Sequence, residues 1–253
     1  MTLLYNPSNE SLMSRDQLHR LPVPAALGRY HNPVPFGPFA DLVAHRLERV
    51  GFAIDAEEYA VDHDGNRLFG LLEVSPIEGE YISAKDWSLQ VGLRGSHDQS
   101  VPRALTLGSR VLVCSNLCFH GDLAVFSTRQ TLNVWDRLPG MVESALNQLP
   151  QMAHRHEQRV DRYRLTQLKP RHGDAALVEL HRRGALSAAQ LGRAIQEWDQ
   201  PSHEEHAEDG HTVWRCFNAA TEALKPTGER VNHDLVRQRS ERVSAFLDEV
   251  VGL

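Results

Sequence analysis

From Phe39 the apolar residues Phe39, Leu42, Val43, Leu47 and Val50 return every three or four positions, the spacing that lines one side of an α-helix, and Gly51 follows as a stop. The period then drops to two. Phe52 to Val61 and Arg67 to Val74 read as strands around Asp62-His63-Asp64-Gly65-Asn66, a turn of residues that tolerate left-handed geometry, so a β-hairpin is predicted. Strict alternation at Trp87, Leu89, Val91 and Leu93 predicts a third strand with one inward face. Val111 to Val113 and Leu123 to Thr128 predict two more, connected at His120-Gly121-Asp122.

Beyond Asp136 helical spacing takes over. Met141, Val142, Ala145, Leu149 and Met152 share a face within residues 138–168, with Pro150 as a kink or break. Asp174 and Ser187 are placed to cap helices ending at Arg183 and Trp198, and Thr212 to Leu224 and Val231 to Val250 predict two further helices. Ahead of the first helix, Pro22, Pro24, Pro33, Pro35 and Pro38 fix φ and remove donors, which predicts an extended arm over residues 1–38. Strands followed by helices define an α+β fold: a mostly antiparallel sheet with helices over 39–136, then a helical part over 137–253 packed on that core as one domain.

Composition excludes classes more than it selects one. The 253 residues suffice for one large domain, and the 41% hydrophobic and 24% charged content is that of an ordinary globular chain. No apolar run approaches the roughly 18 residues of a membrane span, and MTLLYNPSNESLMSRD has no secretory pattern, so a cytoplasmic protein with no membrane partner is expected. Cys114, Cys118 and Cys216 are odd in number and read as reduced core residues. A net charge of −6 opposes sequence-independent nucleic-acid binding, although Arg155, Arg159, Arg162, Arg164, Lys169, Arg171, Arg182 and Arg183 make 154–183 locally basic.

Neither a metal nor a cofactor is expected. Cys114, Cys118 and His120 would need a fourth ligand from His203, His206 or His211, and their neighbours Val113, Leu117 and Phe119 are core-like. His203-Glu204-Glu205-His206 is one residue short of the zincin spacing.

The densest chemistry is RGSHDQS, where Arg94, Ser96, His97, Asp98 and Ser100 fall within seven positions. As a phosphate or ligand site, Arg94 supplies a planar fork of donors, the serines supply hydroxyls, and Asp98 orients His97. As a purely structural turn, Asp98 caps it, Arg94 meets a helix C-terminus and His97 is buried. Sequential Ser, His and Asp do not assemble a hydrolytic triad, and no Gly-x-Ser-x-Gly elbow is present.

The stretch Trp87 to Phe126 resembles the family called domain of unknown function 932, found in phage- and plasmid-like bacterial proteins. The likeness rests on Arg94, Ser96, His97, Asp98 and Ser100, then Gly108-Ser109-Arg110-Val111, then Cys114 and Asn116. Trp214 to Lys225 is similar to the family's C-terminal helix, so the resemblance spans roughly residues 50–240. Gly95 departs from it, standing where the family pattern carries asparagine.

The family has no assigned chemistry, so the resemblance implies a mobile-element setting rather than an activity. By that analogy the chain is expected to bind or anneal nucleic acid, single strands in preference to duplex, and a homo-oligomer would fit such a role. Arg94 and Arg110 would contact phosphate, aided by Ser96, His97 and Asn116. Arg155, Arg159 and Arg162 would extend the groove, with Tyr163 available for stacking unless Glu157 and Asp161 merely pair with that basic face. Two alternatives stay open: an enzyme using Arg94, His97 and Asp98 on a nucleotide or phosphorylated substrate, and an interaction module directed at a host factor.

Overall fold

The computed structural model describes residues 11–22, 25–62, 64–78, 87–111, 124–203, 210–225 and 233–253. Its elements run β1 (Ser11–Met13), α1 (Arg15–His19), α2 (Phe36–Arg49), β2 (Phe52–Val61), β3 (Arg67–Pro76), β4 (Trp87–Ser96), β5 (Arg103–Val111) and β6 (Ala124–Thr128). Helices follow: α3 (Val134–Leu146), α4 (Leu149–Leu165), α5 (Pro170–Arg182), α6 (Ala188–Asp199), α7 (Val213–Leu224) and α8 (His233–Val251). The fold is therefore α+β, with the six strands in one sheet in chain order.

The first hairpin forms where the alternation places it, β2 pairing antiparallel with β3 from Phe52↔Pro76 to Val61↔Leu68. Its turn closes because Asp62 Oδ1 accepts from the Asn66 and Arg67 amides at 2.7 and 2.9 Å while Gly65 takes φ +69°. β4 departs from the one-sided expectation. It is central in the sheet, so Gln90 and Gly92 are buried along with Leu89, Val91 and Leu93. β5 begins at Arg103, ahead of the predicted Val111, and residues 112–123, with Cys114, Asn116, Cys118 and the His120–Asp122 turn, lie outside the described residues.

The proline-rich arm is shorter than expected and partly regular. α2 starts at Phe36 because Pro38 falls in its first turn, where no intrahelical donor is needed. β1 pairs with β2 at Ser11↔Val61, and Ser14 and Gln17 form a capping box on α1; elements this short carry no readable period.

Two compact units arise. One comprises Met1–Glu80, Leu89–Gly108 and Leu123–Pro150, and thus most of the sheet with α1 to α3; the other comprises Tyr81–Ser88, Ser109–Asp122 and Gln151–Leu253. In the first, α2 packs on β2 and α3 through Phe39, Val43 and Leu47, and Arg46 pairs with Glu143 at 3.1 Å. In the second, α7 is buried almost throughout and packs against α6 and α8. α5 begins at Pro170, earlier than Asp174, because proline suits the first helical position. Among the described residues no helix is long and apolar enough to cross a membrane.

Ser187 caps α6 as the sequence predicts: its Oγ accepts from Gln190 N at 3.3 Å, and its own amide donates to Gln190 Oε1 at 2.9 Å. Ser187→Ala is expected to cost about 1 kcal/mol of unfolding free energy in a urea titration of the full chain. An unchanged midpoint would mean that the cap contributes nothing.

Candidate anion and nucleic-acid interface

The RGSHDQS segment closes the β4–β5 hairpin, and most of its polar groups are used in doing so. Ser96 N donates to Val101 O at 3.0 Å, and Ser96 Oγ accepts from Val101 N at 2.8 Å. Ser100 N donates to Asp98 Oδ1 at 2.9 Å around Gln99, which takes φ +64°. The Ser100 hydroxyl, then the Ser96 hydroxyl and the Ser100 amide, hold the Asp98 carboxyl down to about 2. Arg67 Nε donates to Ser100 Oγ at 3.3 Å. Arg94 lies half-buried on β4 in register with Phe69.

His97 and Asp98 do not form a pair. Asp98 is exposed on the turn, whereas the His97 ring turns inward and stacks on Phe36 with centroids 3.8 Å apart at 12°. The His97 amide donates to Asn66 O at 2.8 Å, tying this turn to the β2–β3 turn. Burial, then the Arg103 charge, lowers the His97 ring to about 4, so it is neutral at pH 7.

Beneath the turn lies a residue that the sequence reading passed over. Arg103, the first residue of β5, is 0% exposed; it donates through Nη2 to Val34 O, and its guanidinium carbon stands 4.5 Å from the Phe36 ring centroid and 5.7 Å from that of Phe39. Burial lowers its value to about 9, which leaves it charged at neutral pH. Among the described residues no carboxylate pairs with it, and its Nε and Nη1 have no hydrogen-bond partner. Gly95 makes the position possible, because a Cβ there would stand 2.5 Å from Arg103 Cδ.

Gln130 clasps the arm over this cation. Its Nε2 donates to Ser96 O, its Oε1 accepts from Val34 N at 2.7 Å, and its carbonyl accepts from Asn32 N at 3.1 Å. His31 bridges to Thr131, and Asn32 Nδ2 donates to Leu132 O at 3.1 Å. Segments 25–33 and 129–137 are therefore held side by side.

What they present outward is basic, aromatic and apolar. Tyr30 is 62% exposed with the Arg29 guanidinium 4.3 Å from its ring centroid, and Leu27 and Leu132 are 64% and 53% exposed. Arg29, Arg129 and Arg137 are all exposed, and among the described residues none pairs with a carboxylate; Arg137 Nη2 donates to Thr131 Oγ1 at 3.2 Å. Asp136 is the one carboxylate within these two segments, against three arginines.

The basic helix α4, in the second unit, is largely committed to packing. Arg159 forms a bidentate pair with Asp248, Nε and Nη2 donating at 2.9 and 2.8 Å, and Tyr163 is buried with its hydroxyl donating to the same carboxylate at 2.8 Å. Tyr163 therefore offers no face for stacking. Arg155 and Arg162 are exposed, alongside Asp161. Arg110 falls on β5, and Asn116 lies outside the described residues.

The sequence reading missed Arg29, Tyr30, His31, Arg103, Arg129, Gln130 and Arg137. The one usable signal was Arg103 itself, an arginine set into an otherwise apolar β run with Ala104, Leu105 and Leu107. Among the described residues no group of three or more His, Cys, Asp or Glu side chains is placed to hold a metal ion. In comparisons with known proteins, no family model, no curated protein and no solved structure matches the chain.

Proposed function

We propose that this chain binds single-stranded nucleic acid through the surface formed by Arg29, Tyr30, Arg129 and Arg137. One observation carries the reading: an exposed tyrosine ring with an arginine over it, on paired segments that carry two further exposed arginines with no carboxylate partner among the described residues, on a chain that is acidic as a whole. An exposed aromatic offers a sequence-tolerant stacking face, and unpaired cations displace the counterions of phosphate. Duplex DNA, with its bases already stacked, would use only the cations. The resemblance to the domain of unknown function 932 family adds a phage or plasmid setting, in which binding or annealing of single strands has a use.

The enzyme alternative has less behind it, since Asp98 serves the turn and not His97. The test is fluorescence anisotropy of a labelled oligothymidylate and of a duplex across a salt series. Combined Arg29→Ala, Arg129→Ala and Arg137→Ala should weaken single-strand binding about 10- to 100-fold at low salt and flatten the log–log salt slope by about 2. Tyr30→Ala should cost roughly tenfold on single strands and little on duplex. Absence of binding by the wild type at low salt would overturn the reading, and loss only on charge reversal of Arg155 and Arg162 would move the site to α4.

A further inference from the structure

We infer that Gln130 is the positioning residue of the proposed surface: it fixes the segment of Arg29 and Tyr30 against that of Arg129 and Arg137, and so sets the preference for single strands over duplex. The inference rests on the single-strand reading above. Arg29 and Tyr30 are the two central residues of a turn that His31 closes twice, its amide donating to Gly28 O at 3.0 Å and its Nδ1 accepting from Leu27 N at 2.9 Å. The turn therefore holds its own shape. Where it sits is decided a few residues on, at Val34.

Val34 is fully buried and gripped on both sides of its backbone: Gln130 Oε1 accepts from its amide at 2.7 Å, and Arg103 Nη2 donates to its carbonyl. Pro33 and Pro35 flank it with fixed φ, so the short run His31-Asn32-Pro33 carries the placement of this grip back to Tyr30. Gln130 does more than hold Val34. It is buried, its Nε2 donates to Ser96 O at the end of β4, and its own carbonyl accepts from Asn32 N at 3.1 Å, so one residue joins the sheet, the arm and the 129–137 segment. An uncharged amide donates and accepts at once; an ionised glutamate would lack the donor, and asparagine is one carbon shorter. A stacking face contributes most when it is already in place, because ordering it on binding costs free energy. Duplex DNA, with its bases already stacked, does not call on Tyr30, so a loss of placement falls on single strands.

The experiment compares the full-length wild type, Tyr30→Ala, Gln130→Ala and the double variant, by anisotropy with a labelled oligothymidylate and a duplex and by amide hydrogen exchange of each free chain. In Gln130→Ala the Asn32 and Val34 amides should exchange at least about tenfold faster, whereas the His31 amide, closed within its own turn, should change little. Single-strand affinity should fall about three- to tenfold, with duplex affinity within about twofold of wild type. On the Tyr30→Ala background, Gln130→Ala should cost nothing further on single strands, because no ring is left to place. A residue that merely stabilised the fold would instead weaken single strands and duplex together and add to the loss from Tyr30→Ala. Should Gln130→Ala not fold, Asn32→Ala takes its place: it removes only the exposed bond from Asn32 Nδ2 to Leu132 O and should show the same selective loss, at about two- to threefold. Wild-type protection of the Asn32 amide in Gln130→Ala would overturn the grip, and faster exchange with unchanged selectivity would overturn the positioning role; either result leaves the surface standing. No single-strand binding by the wild type would overturn the surface itself, and the positioning role with it.

Discussion

Gly173→Ala is expected to destabilise the chain by about 3 kcal/mol or more, although alanine is the better helix former by up to about 1 kcal/mol. A Cβ at 173, in the first turn and a half of α5, would stand 2.2 Å from both Cε2 and Cζ2 of Trp198. The indole has no room to retreat. Trp198 is fully buried, its carbonyl accepts from Arg215 Nε and Nη2 at 3.0 and 2.6 Å, and His211 meets its ring edge-on at 5.2 Å. Gly192→Ala in α6 is the control, since nothing lies within 4 Å of its would-be Cβ, and it should gain about 0.5–1 kcal/mol. Urea titrations of the two variants decide the matter: if Gly173→Ala were as stable as the wild type, the helix–helix approach at Trp198 would be looser than described.

These two glycines mark what a single sequence does and does not carry. Local signals were legible: the Asp62 turn, the Ser187 cap and the apolar period of α2 each depend on residues within a few positions of one another. That Gly173 must be glycine depends on a tryptophan 25 positions later, which no local pattern announces.

The same distinction explains the site. Arg159 looked like a free cation because its partner Asp248 lies 89 residues away, yet Tyr163 was on a readable apolar stripe with Leu149, Ala153 and Val160. The RGSHDQS segment drew attention through its density, but density in a tight hairpin is what Asx and serine turns require, and its polar groups largely satisfy one another. Arg103 went unweighed because an arginine at the start of a strand is ordinarily exposed. Only the meeting of α2, the arm and Gly95 makes it a buried cation.

Acidification should remove several kcal/mol of stability between pH 6.5 and 4.5, and two histidines carry the effect. His97 in the first unit is lowered to about 4, by burial and then by Arg103; His156 in the second, edge-on to Trp87 at 4.5 Å, is lowered to about 3, by burial and then by Arg159. In the unfolded chain both take up a proton near pH 6.5, while the native chain keeps them neutral. The unfolded state therefore binds more protons in this window, so stability is complete above pH 6.5 and falls as pH drops toward the folded values, by at most about 1.4 kcal/mol per pH unit for each ring. Asp98, held down to about 2, acts only below about pH 4 and does not enter. Urea unfolding at pH 7.5, 5.5 and 4.5 should show the decline, and a flat profile would mean that both rings are protonated in the native state. Because the two rings are buried in separate units, His97→Gln and His156→Gln should each remove its own share of the slope, and the double variant should be nearly independent of pH across this range.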